Sequence, residues 1–185
     1  MATVLKLKRG RSIAVAVAAI ALAVLAGAQL APATRPTIEP AQRAAFSVLR
    51  MRTPAPSRAL QSMITHVVST SRPLGLYLSL GRRVVTPGGV IAWVVPGDGN
   101  ICVVHDGTAT AGCTSTQEAI RHGMSLGEKE TSFAGPSYLL LGLVRDGVRA
   151  VEVFPDNRPP LLVPVIHNVY AYLGSAPARA VPLRR

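Results

Sequence analysis

Val90 to Val104 reads VIAWVVPGDGNICVV, and this stretch decides the fold. Val90 to Val95 is apolar on both faces, as a buried central strand would be. Pro96-Gly97-Asp98-Gly99 supplies turn chemistry, and Asn100 to Val104 returns as a second apolar run. Two such runs around a tight turn predict a β-hairpin.

Downstream, Ser115 followed by Glu118 matches a capping box, and Gly123 stands where a helix end favours a left-handed residue. A short helix over 116–122 follows, with Arg121 and His122 in its last turn, where the dipole favours positive charge. Ser137 to Val144 reads as a strand, Arg145-Asp146-Gly147 as a turn and Val148 to Phe154 as a returning strand. Leu161 to Ile166 and Val169 to Leu173 complete a meander, with Pro164 marking an edge strand. Residues 174–185 read as a disordered basic tail.

Upstream, Leu74, Leu76, Leu78 and Leu80 alternate with Gly75, Tyr77, Ser79 and Gly81 at strand period, while Leu76, Leu80 and Val84 would also share a helical face. Ser57 can cap a helix carrying Leu60, Met63, Ile64 and Val67 on one face. Ala41, Ala44, Ala45, Val48 and Leu49 predict another helix over Pro40–Arg50. The expected class is α+β: a leader helix, short helices, then a small antiparallel sheet made of the hairpin and a C-terminal meander.

Residues 1–28 carry the parts of a signal peptide in order. Lys6, Lys8, Arg9 and Arg11 form the basic start, Ile13 to Ala26 the apolar run, and Ala26-Gly27-Ala28 a small-residue cleavage site. The alternative is an uncleaved transmembrane helix, since the apolar stretch extends to Ala31, about 28 Å as a helix. Both readings keep the basic flank in the cytoplasm and place the rest outside, secreted or anchored to the membrane. Residues 29–40, rich in proline, read as a linker, and 41–173 as the extracytoplasmic domain.

The 185-residue chain has a mean hydropathy of +0.33 and a formal net charge of +11. Four of its basic residues lie in the leader, and the rest still outnumber the acidic ones. The basic residues are scattered and aromatics make up only 4%, which argues against a base-stacking nucleic-acid platform. The basic excess fits an anionic envelope polymer or an envelope protein as partner.

Cys102 and Cys113 are the only cysteines, and outside the membrane they would oxidise to a disulfide. The expected bridge ties a strand end to the start of the 116–122 helix. The spacing is not C-x-x-C, so it does not suggest a thioredoxin-like pair. His66, His105, His122 and His167 are dispersed, and a zinc site from the last three would have to be assembled by the fold. Gly97-Asp98-Gly99-Asn100 lacks the alternating ligands of a calcium loop. His105-Asp106 with a serine could seed a triad. Gly123-Met124-Ser125-Leu126-Gly127 meets the letters of a nucleophile elbow without its strand-turn-helix context. No phosphate-binding loop follows a strand, and no cofactor, metal or catalytic residue is assigned.

Ala45-Phe46-Ser47-Val48-Leu49-Arg50, Trp93 to Gly97, Cys102, Gly112-Cys113, Gly142 to Val148 and Val163 to Tyr170 follow one another along the chain. Together these stretches resemble a family of exported, largely uncharacterised actinobacterial proteins. Where that family commonly has Pro and Asp, this chain has Arg145 and His167. The resemblance implies an extracytoplasmic domain with an N-terminal leader, and carries over no activity or site residues. Two functions stay in view: a non-enzymatic binding or interaction domain of the envelope, and a small envelope hydrolase with a His/Asp-based or metal site.

Overall fold

The run from Val90 to Val104 forms two paired strands because both of its faces find apolar cover. In this computed structural model, β1 (Arg82–Val85), β2 (Ile91–Pro96), β3 (Asn100–His105) and β4 (Ala111–Ser115) form an antiparallel sheet in that order. The structure describes residues 35–69, 75–108, 110–132 and 135–183. The leader and most of the expected linker lie outside them.

Alternation sorts the hairpin side chains to two cores. Ala92, Val94, Ile101 and Val103 point one way, against Phe46, Val48 and Leu49 and against Leu139, Leu141 and Leu143. Trp93, Val95, Cys102 and Val104 point the other way, against Leu60 and Ile64. Those two residues belong to the helix Arg58–Ser69, whose first turn is closed by Ser57 Oγ accepting from the Leu60 amide at 3.2 Å, as expected from sequence. Burying Leu60 and Ile64 contributes about 1.5–3 kcal/mol each.

The second sheet has the order β5 (Met124–Ser132), β6 (Gly135–Leu143), β9 (Val169–Gly174). The third has the order β10 (Ala178–Pro182), β7 (Ala150–Pro155), β8 (Leu161–Pro164). β6 is buried on both faces: Leu139, Leu141 and Leu143 face the first sheet, while Leu140 joins Val151, Val153 and Val163 of the third. The domain is therefore a stack of three antiparallel sheets with a helix on the outer face of the first.

Several expectations are corrected. The sheet is three sheets, because the expected meander divides: β6 and β9 pair in one sheet with β5, and β7 and β8 pair in another with β10. Met124–Ser132, to which no element is assigned from sequence, is a strand paired with β6 along its length. The 174–185 tail, expected to be disordered, contains β10, paired with β7 from Ala178↔Pro155 to Pro182↔Val151. The leucine alternation at 74–80 gives an isolated bridge at Leu76 and a 3-10 turn over Leu78–Leu80. The linker ends earlier than expected, since Ile38 is packed in the core. Pro164 does mark an edge strand, β8.

The helix expected over Pro40–Arg50 is also broken. α1 (Pro40–Ala45) stops at Phe46, which is extended, and a 3-10 turn spans Ser47–Arg50. The break has a local cause. The amides of Ser47 and Val48 donate to the side chains of Asp146 and Asn168, at 2.8 and 2.9 Å, instead of continuing the helix. The expected alanine face is largely exposed, and the buried residue of α1 is Gln42. Its amide lies within 3.0, 2.8 and 2.9 Å of Gly97 O, Asn100 O and Thr116 Oγ1 and clamps the hairpin turn.

Candidate functional site

The short helix Thr116–His122 forms where the sequence places it. Ser115 Oγ accepts from the Glu118 amide at 3.2 Å, and Gly123 ends the helix at φ 73°. A Cβ at Gly123 would meet the Leu143 carbonyl at 2.9 Å, so the chain turns here only because the residue is glycine. This exit brings the helix end beside the corner after β6 and beside β10. Between them lies a cleft of about 380 Å³. Ile120, Val144, Val148, Val181, Pro182 and Leu183 supply its apolar lining, Arg121 and Arg145 its cationic groups, and His122 lies beside them.

Asp146 also lines the cleft, but its carboxylate is committed. Oδ1 accepts from the Ser47 amide and Asn168 Nδ2, each at 2.8 Å, and Oδ2 pairs with Arg50 at 2.7 Å. Burial pushes this carboxyl up, yet the hydrogen bonds from Asn168, Arg50 and Ser47 outweigh it and hold it below the usual carboxylate range. Asn168 completes the network. Its Oδ1 accepts from Ser47 Oγ and the Val48 amide, both at 2.9 Å, and its Nδ2 also donates to Val144 O at 3.0 Å. Asn168 sits at φ 70° beside His167 at φ 46°, in the tight turn bridged by Ile166 and Val169. Three stretches far apart in sequence, 45–50, 142–148 and 163–170, thus meet at one polar knot.

A second cavity, about 300 Å³, is lined by Gly88, Gly89, His105, Asp106, Leu139 and Leu173 among others. His105 Nδ1 lies 3.4 Å from Glu128 Oε2 and 3.1 Å from Thr108 Oγ1, and Glu128 also accepts from Thr108 and Thr110. Asp106 is turned elsewhere and accepts from Trp93 Nε1 at 2.8 Å.

The structure does not bring the sequence-derived catalytic candidates together. Ser125 is the second residue of β5, in register with Gly142 and Tyr170, and hydrogen-bonds to Tyr170. The Tyr170 ring lies over Gly142, where any Cβ would collide with it. Burial raises the Tyr170 phenol to about 12, against a smaller lowering by Ser125. The G-x-S-x-G spacing is thus a helix end running into a strand, the reverse of an elbow. His122 lies 3.9 Å from Glu118 on an exposed surface, and His167 is in the tight turn. Among the described residues no three His, Cys, Asp or Glu side chains are grouped to hold a metal.

The Cys102 and Cys113 sulfurs lie at disulfide distance, 2.04 Å. They face one another in the middle of β3 and β4, with Cα atoms 4.1 Å apart. The expected attachment to the 116–122 helix is therefore moved one strand earlier. Ser47, Arg50, Asp146 and Asn168 were not singled out by sequence reasoning as a group. The short stretches quoted for the expected resemblance, 45–50, 142–148 and 163–170, contain all four.

No family model matches the chain, no curated protein matches it, and no solved structure matches it. The fold itself defines the class: a mostly antiparallel β domain with a few short helices. Among the described residues no helix is long and apolar enough to cross a membrane.

Proposed function

We propose that this is an extracytoplasmic envelope domain, of the exported actinobacterial kind, that binds a partner rather than turning over a substrate. One observation carries the binding half of the reading. His105, Asp106, His122 and Ser125 are each engaged in a different pairing, with Glu128, Trp93, Glu118 and Tyr170 respectively. Nucleophile, base and orienting group need mutual hydrogen-bond reach, and this arrangement does not supply it. The leader pattern and the paired cysteines support the extracytoplasmic half.

Two measurements test the reading. The exported chain, digested without reductant, should give a Cys102–Cys113 cross-linked peptide lighter by two hydrogens than the dithiol. The domain should also be cut by protease added to intact cells. Recovery of both cysteines as thiols in a protease-protected domain would remove the extracytoplasmic setting.

A hydrolase is the second reading, and the His105–Glu128 pair beside a cavity favours it. A histidine oriented by a carboxylate is a base-like arrangement, and water would be its nucleophile because Ser125 is elsewhere. Turnover of p-nitrophenyl esters by the wild-type chain, lost in His105→Gln, would establish this reading in place of the first.

A further inference from the structure

We infer that the cleft between the end of the 116–122 helix, the 144–148 corner and β10 binds a single-headed anionic amphiphile: a short apolar stem ending in a carboxylate or phosphate. This rests on reading the domain as a binding module and names the ligand class of that module.

The cleft volume, about 380 Å³, falls in the range of small-molecule sites, roughly 300–1,000 Å³. Its lining divides into two chemistries. Val144, Val148 and Pro182 form part of an apolar surface that is favourably covered by a hydrocarbon stem. Arg121, His122 and Arg145 surround it with positive or protonatable groups.

The balance of charge decides the sign of the ligand. Among the described residues Asp146 is the only carboxylate in the lining, and Arg50, Ser47 and Asn168 already satisfy it. Glu118 lies outside the lining, 3.9 Å from His122. Among the described residues neither Arg121 nor Arg145 takes part in an ion pair. The side-chain hydrogen bond of Arg121 is to the neutral Gln117 Oε1, a long one at 3.4 Å. The cleft therefore offers two uncompensated guanidinium groups beside an apolar surface. A guanidinium matches a carboxylate or a phosphate oxygen pair in geometry as well as charge. A neutral apolar ligand would leave both cations unanswered, and a bare anion would leave the hydrocarbon surface wet.

The test is calorimetric titration of the exported chain with octanoate and octyl phosphate, each below its micellar concentration. Saturable one-to-one binding is expected for at least one of them, and the pair distinguishes the two head groups. Octanamide, which lacks the charge, and acetate and inorganic phosphate, which lack the stem, should bind at least about tenfold more weakly. Arg121 and Arg145 are exposed, so Arg121→Gln and Arg145→Gln should fold normally and each weaken binding roughly tenfold, the loss of one charge-assisted contact. Val181→Glu, which places a carboxylate in the cleft, should abolish it. Octanamide binding as tightly as octanoate, or affinity unchanged in all three variants, would overturn the inference, as would no saturation by either anion. Ester turnover that counts against the binding-module reading is scored with His105→Gln, outside this cleft, so the two failures are told apart.

Discussion

Replacing Asn168 with glycine isolates what the polar knot contributes. Asn168 is 5% exposed and adopts φ 70°, so an alanine there would add backbone strain to the loss of the side chain. Glycine keeps the conformation accessible and removes the amide alone. Two buried groups then lose their partners: the Val48 amide, on a residue with no exposed surface, and the Val144 carbonyl. Each orphaned buried group costs about 1–3 kcal/mol, and glycine's extra chain entropy adds about 0.5–1 kcal/mol. Water entering from the adjacent cleft would recover part of this, so the expected loss is about 3 kcal/mol. In a domain of this size that lowers Tm by about 6–12 °C. Urea unfolding of the oxidised chain, followed by Trp93 fluorescence, measures it, with an unchanged m-value confirming that the native state is intact. Ser47→Ala and Asn168→Gly should be non-additive, because Ser47 Oγ donates to Asn168 Oδ1 at 2.9 Å. A loss below about 1 kcal/mol, or simple additivity, would refute the argument that this network holds residues 45–50 against the sheets.

Three further outcomes follow from the same geometry. Gln42→Leu should cost about 2–3 kcal/mol in the same unfolding assay, since it removes the buried donor that Gly97 O, Asn100 O and Thr116 Oγ1 share. Asp146 has a depressed carboxyl pKa, so its contribution is complete above the ordinary carboxylate value of about 3.9 and fades as pH falls through the lower folded value. Asp146→Asn should therefore lower stability at pH 7 and flatten the acid limb of a Tm-versus-pH curve, and an unchanged acid limb would contradict this. Changing Cys102 and Cys113 together to alanine should cost about 2–4 kcal/mol under non-reducing conditions, and the double variant's Tm should no longer respond to reductant.

Local rules carried much of the fold. The VIAWVV run, the Pro-Gly-Asp-Gly turn, the Ser57 cap and the Ser115 cap with Gly123 all act within a few residues of themselves, and the structure realises each one. The double-sided apolarity of β2 and β3 already required cover on both faces. Local signals failed where a distant partner outbid them. Pro40–Arg50 has helical periodicity, but side chains some hundred residues away capture the Ser47 and Val48 amides and break the helix. Ala178–Pro182 is poor strand material by composition, yet β7 provides an unpaired edge and draws it in. Met124–Ser132 carries charges that hide its alternation, and pairing with the buried β6 overrides them.

The candidate site divides in the same way. Sequence by itself determined the strongly basic balance, the two cysteines able to pair and the short capped helix that carries Arg121 and His122. Which groups meet was a tertiary matter. Gly123, the corner at Arg145 and the edge strand β10 come from three separate regions of the chain, and only their packing creates a cleft with unbalanced cations on an apolar surface. The physical reason is range. Propensity and capping act across a few residues, whereas a cavity and its charge balance are properties of surfaces brought together by burial.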